Sequence, residues 1–139
     1  MQCQYKNLDV YKISYALAIN LYRLVDNFPE HTKGNIASQL RRAASSVPLN
    51  IAEGSTKKSP KEFLVYLHHA FGSTKELEVL LMMSKDLGYL HIDSFEGLMH
   101  TLDRLMAQLF RYMESIEAQF SPRRRFYTTF HFEKLSRFR

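Results

Sequence analysis

Three consecutive arginines, Arg123, Arg124 and Arg125, open a segment that also holds Lys134, Arg137 and Arg139 and five aromatic rings, Phe126, Tyr127, Phe130, Phe132 and Phe138. Cations displace phosphate counterions and rings stack on unpaired bases, so this mixture suits a segment that grips nucleic acid. Two other readings fit the same residues. The rings can dock on the chain's own helices or on another copy, with the arginines in water. Alternatively, Phe126, Thr128, Phe130 and Phe132 fall on one side at period two, as in a short strand.

A second set of cations lies mid-chain. Arg41 and Arg42 are neighbours in a helical pattern, and Lys57 and Lys58 follow just past its end. Guanidinium groups match paired phosphate oxygens, which makes Arg41 and the two lysines weaker candidates for phosphate contacts. The competing reading is an ion pair, favoured for Arg42, with Glu53 or Glu76, because an unpaired charge beside packed alanines is costly. Adjacent helical residues point about 100° apart, so the two arginines cannot share one role.

Residues for catalysis are poorly supplied. Glu96, His100 and Asp103 share a helical face that His68 or His69 could approach, but the Glu-x-x-His pairs of carboxylate-bridged metal bundles do not occur. The tetrapeptide Gly-Ser-Thr-Lys occurs twice, at 54–57 and 72–75, in neither case with the order or context of a phosphate loop. Cys3 is the single cysteine, which excludes an intramolecular disulfide or a cysteine zinc cage, and no histidine stands near it in sequence. No enzyme activity, metal or cofactor is expected.

The elements that must position these residues follow from composition and period. The chain has 139 residues, 45 % of them apolar and 24 % charged, enough for one domain with a core. Only 5 glycines and 4 prolines argue against a turn-rich β sandwich. The polar N-terminus lacks the apolar stretch of a signal peptide, and the longest apolar run, Val79–Met83, is far too short to span a membrane, so a cytoplasmic location is expected. Residues 1–120 carry 13 basic and 13 acidic side chains, so the formal charge of +5 sits wholly in residues 121–139. This divides the chain into a neutral body, 1–120, and a basic, aromatic tail, 121–139.

Four helices are expected in the body. The first starts with Asp9 as N-cap and a Leu8–Ile13 staple, carries Val10, Ile13, Leu17, Leu21, Leu24 and Phe28, and stops at Pro29. A second stripe beside it holds Tyr11, Tyr15, Ala18, Tyr22 and Val25. The next spans roughly 33–54 with a small-residue centre, Ala43 to Ser46, and is expected to kink or divide at Pro48. The third opens on the capping box Ser59-Pro60-Lys61-Glu62, runs through Phe63, Leu67, Ala70, Thr74, Leu77, Leu81 and Ser84, and closes at Leu87-Gly88-Tyr89. The fourth is expected to start at Asp93-Ser94-Phe95-Glu96 and to stop at Pro122. Short connections favour antiparallel neighbours, which gives an all-α, antiparallel up-down four-helix bundle.

The segment Gln39 to Gly54 resembles the signature of the four-helix-bundle family of 23S rRNA intervening-sequence proteins, distantly related to accessory proteins of diversity-generating retroelements. The likeness extends to Leu8–Lys12, Phe63, Gly72-Ser73, Glu76-Leu77 and Leu87–Tyr89, and leaves out the tail. It implies a protomer that assembles into a ring, typically a homopentamer, with no known enzymatic activity. For the retroelement relatives it implies binding of RNA and of a reverse transcriptase. No catalytic residue carries over; Gln39, Arg41, Arg42, Asn50, Glu53, Gly54, Gly72 and Glu76 carry over only as signature positions.

A ring needs two different patches per copy meeting head to tail. The tyrosine stripe (Tyr11, Tyr15, Tyr22) and the run containing Val79, Met82 and Met83 are two apolar surfaces that one core does not require, and they are read as subunit contacts. The combined expectation is a non-enzymatic, ring-forming bundle that binds structured RNA as an accessory factor. The alternative is a protein scaffold whose tail recruits an enzyme such as a reverse transcriptase.

Overall fold

The computed structural model describes residues 4–120. They form four long helices, α1 (Asp9–Val25), α2 (Ile36–Gly54), α3 (Pro60–Asp86) and α4 (Ile92–Glu117), with single 3-10 turns at Tyr5–Asn7 and Glu30–Thr32. No strand occurs among the described residues, so the all-α class holds. The tail, and the assignments made to it, lie outside them.

Helix α3 is held at both ends as its sequence dictates. The Ser59 hydroxyl accepts from the Glu62 N–H (3.2 Å), and the Glu62 carboxylate accepts from the Ser59 N–H (3.2 Å). At the other end Gly88 takes φ +78°, which lets the Gly88 N–H reach the Lys85 carbonyl (3.0 Å) and the Tyr89 N–H reach that of Ser84 (2.8 Å). Other boundaries differ from expectation. Asp9 is the first residue of α1 rather than its cap, and Leu8 stands at the cap without a side-chain bond. α1 ends at Val25 because the Asn27 and Phe28 N–H groups bond three residues back, to Leu24 and Val25. α4 starts one residue before Asp93, capped by the His91 ring nitrogen, which accepts from the Asp93 N–H (3.3 Å); the anticipated Asp93–Glu96 box does not form.

Pro48 neither divides nor ends α2, which is continuous from Ile36 to Gly54. Ala44, Val47 and Ile51 around it are almost wholly buried, so packing carries the helix across one missing donor.

The core is a leucine-rich interior to which every helix contributes: Leu21 and Val25 from α1, Leu40 and Ile51 from α2, Leu67, Leu77 and Leu81 from α3, Leu102, Leu105 and Leu109 from α4. Alanines at 37, 43, 44 and 70, all fully or nearly fully buried, let α2 and α3 approach closely. Gly54 at the end of α2 lies against Phe63 and Tyr66 at the start of α3, and two turns further along each helix the Ser73 hydroxyl donates to that of Ser46 (2.8 Å). α2 and α3 therefore run antiparallel. So do α3 and α4, since Phe63 meets Tyr112 while Lys85 lies over Phe95.

Candidate nucleic-acid interface and the exposed helix faces

The antiparallel course of α4 brings the chain back to the end of the bundle where α2 turns into α3. That turn holds Lys57 and Lys58, and Lys61 follows in the first turn of α3. The Lys57 ammonium lies 4.6 Å from the Tyr66 ring centroid and 3.8 Å from the Glu53 carboxylate. The Tyr66 hydroxyl beside it raises its pKa, an effect that desolvation opposes and that the charges of Glu53 and Glu62 reinforce less strongly, so it stays charged. Lys58 and Lys61 are exposed and make no ion pair among the described residues. Residue 120 thus delivers the chain, just before Arg123, Arg124 and Arg125, to the end that carries three lysines. Those arginines, with Lys134, Arg137 and Arg139, lie outside the described residues.

Of the two central arginines it is Arg41, not Arg42, that forms an ion pair. Arg41, the phosphate candidate, donates to Asp26 just beyond the end of α1 (2.8 Å) and is largely covered. Arg42, assigned an ion pair, is exposed and bonds neither Glu53 nor Glu76; Glu53 sits instead by Lys57. The reason is angular: Arg41 faces the α1 side of α2, whereas Arg42 points outward.

The 23S rRNA-intervening sequence protein family matches residues 6–111. The chain belongs to that family. A solved structure from Bacteroides thetaiotaomicron, a protein of unknown function from the S23 ribosomal protein family, shares the fold with a TM-score of 0.71. It is 20 % identical, and the alignment covers 76 % of this chain and 95 % of that one. No curated protein matches.

Two of the signature positions, Asn50 and Gly54, lie at the α2–α3 seam. Asn50 donates to the Ser46 carbonyl (2.8 Å) and to its hydroxyl (3.0 Å), and Ser46 in turn accepts from Ser73. Gly54 is required by contact, because a Cβ there would stand 2.7 Å from Phe63 Cδ2 and from Tyr66 Cβ. Gln39, Arg42, Gly72 and Glu76 are exposed, and a Cβ on Gly72 would meet nothing within 4 Å.

Both proposed contact surfaces are partly open in the single chain. On α1, Tyr15 (53 % exposed) and Tyr22 (42 %) face out with Ile19, which the sequence reading passed over; Ala18 and Val25 of the same stripe are buried, and Tyr11 is half-buried between Tyr5 and Tyr15. On α3, Val79, Met82 and Met83 are exposed while Leu80 and Leu81 turn inward. Val65 and Leu49 are further exposed apolar residues that were not anticipated. The sevenfold spacing of Val65, Gly72 and Val79 was the available signal for the first.

The titratable groups between α3 and α4 do not build a metal centre: among the described residues no three His, Cys, Asp or Glu side chains could hold an ion. Asp103 has its pKa raised by burial and by Glu78, opposed by Lys75 and His100. His68, beside a water-sized niche of about 10 Å³ walled by Phe110, Glu114 and Glu117, has its pKa lowered from 6.5 by burial, against Glu117 and with a small contribution from His69. The unfolded chain therefore takes up this proton more readily than the folded one, and stability is lost as pH falls through about 6.5. His68→Gln should flatten the fall in urea midpoint between about pH 7 and pH 5. Asp103 acts in the opposite sense and at lower pH, because the folded form holds its proton the more tightly.

Proposed function

We propose that this protein is a non-enzymatic accessory factor that binds structured RNA at one end of its helical bundle. The observation that carries the reading is the convergence of chain path and charge: α4 returns the backbone to the end bearing Lys57, Lys58 and Lys61, and the sequence then supplies Arg123, Arg124 and Arg125. Arg41, tied to Asp26, drops out of the phosphate contacts, and exposed Arg42 is the free guanidinium in that part of α2. Membership of a family named for insertions in 23S rRNA agrees with an RNA partner. Apolar faces on α1 and α3 give each copy surfaces for further copies, and an assembly of copies would multiply weak contacts into tight binding.

The test is fluorescence anisotropy with a structured RNA, titrated with the full chain between 50 and 200 mM salt. Phosphate-based binding predicts a steep, linear loss of log affinity with log salt. No saturable binding of the RNA at 50 mM salt would overturn the reading and favour instead a tail that docks its rings into a partner enzyme.

A further inference from the structure

We infer that the groove between α1 and α4 holds one unpaired nucleotide of a bound RNA strand, with Arg23 on its phosphate and Leu24 and Leu98 under its base. The groove measures about 470 Å³, within the range of ligand sites, and opens along the side of the bundle. The C-terminal half of α1 supplies one wall, with Asn20 and Arg23, and Asn27 follows just beyond the helix. The first turns of α4 supply the other wall, with Ser94 and Thr101. Leu24 and Leu98, half-buried against the core, form an apolar floor. Such a floor seats the flat face of a base that has left its stack, and the polar walls bond phosphate and sugar hydroxyls.

Charge selects the ligand. Arg23 is exposed and has no ion pair among the described residues, and no carboxylate lines the groove. Further cations favour a strand over a free nucleotide. Arg104 and Arg111 follow Gly97, itself a lining residue, at intervals of seven, so the three share one side of α4. Both arginines are exposed and without an ion pair among the described residues. Each interval advances about 10.5 Å, the reach of about three phosphates 3.4 Å apart. The series leads from the groove towards the end of the bundle where the chain continues to Arg123. The groove is also separate from the surfaces open to further copies. Tyr15, Ile19 and Tyr22 leave α1 about 100° round from Asn20, Arg23 and Asn27, and none of the exposed large apolar side chains lines the groove. A ring built through the apolar faces therefore leaves it open.

The groove's assignment deepens the RNA reading and rests on it, so the test must separate the two. Gly97 provides the means: a Cβ there would meet nothing within 4 Å, so Gly97→Leu should fold normally while its side chain fills the groove. Full-chain variants are titrated by fluorescence anisotropy with a labelled ten-residue oligouridylate from 50 mM salt upward, with circular dichroism confirming the helices. Gly97→Leu should weaken binding at least tenfold, and Gly97→Ala should change it less than about twofold. Arg23→Gln should weaken it about fivefold and lower the salt slope by about 0.7, the share of one phosphate on a single strand. Uridine monophosphate should displace the strand only at millimolar concentration; displacement at micromolar concentration would make this a site for a free nucleotide and overturn the strand assignment. A wild type that binds structured RNA but not the oligouridylate, or Gly97→Leu and Arg23→Gln chains that match the wild type, overturns the groove's role and leaves the RNA reading standing. No saturable binding of either RNA sinks both.

Discussion

Deleting residues 121–139 should lower the affinity for structured RNA at least a hundredfold at 50 mM salt and leave the helices intact. Those residues hold six of the chain's basic side chains against one acid, Glu133, and the body left behind is neutral overall. Each phosphate neutralised contributes about 0.9 to the slope of log affinity against log salt on duplex and about 0.7 on single strands, so losing about five contacts should flatten the slope by roughly four. Helicity should not change, since α1 to α4 share one core among the described residues. Replacing Arg123, Arg124 and Arg125 with glutamine should reproduce about half of the effect on the slope. Replacing Phe130 and Phe132 with leucine should reduce affinity without altering the slope, which separates stacking from charge. If the truncated chain binds as tightly as the whole one at low salt, the tail is not the RNA-binding element and Lys58, Lys61 and Arg42 become the groups to vary.

The helices were legible because their signals are local. Ser59 and Glu62 find one another within a single turn, and the α3 stripe from Phe63 to Ser84 is buried throughout, as its period requires. Boundaries misled where two residues compete for one cap. His91 takes the Asp93 N–H by standing two positions before it, a geometry that the Asp-x-x-Glu pattern conceals. The site residues were less legible because their roles depend on approach between helices. Whether Arg41 or Arg42 meets a carboxylate turns on which of them faces α1, where Asp26 stands just past Val25. The second stripe of α1 divides for the same reason: Ala18 and Val25 lie under neighbouring helices, while Tyr15 and Tyr22 lie beyond their edge.

The two copies of Gly-Ser-Thr-Lys show what the sequence withholds, and they respond oppositely to one substitution. Gly54→Ala should destabilise the fold by about 2 kcal/mol and lower the melting temperature by roughly 6–8 °C. The new methyl would stand 2.7 Å from Tyr66 Cβ, an atom fixed to the α3 backbone, so the helix itself and not only a side chain must give way. Lys57 would lose part of its seat on the Tyr66 ring in the same shift. Gly72→Ala should stabilise the monomer by up to about 1 kcal/mol, since a mid-helix glycine costs that much relative to alanine. There the methyl meets open space, and Gly72 has no positive φ that alanine would have to strain to adopt. Thermal melts followed by circular dichroism, at a concentration low enough for the chain to be monomeric, should therefore move in opposite directions from the same wild-type value. Two shifts of the same sign would falsify the account, because it makes the close α2–α3 crossing at Gly54 a structural necessity and leaves Gly72 free for contact with another molecule.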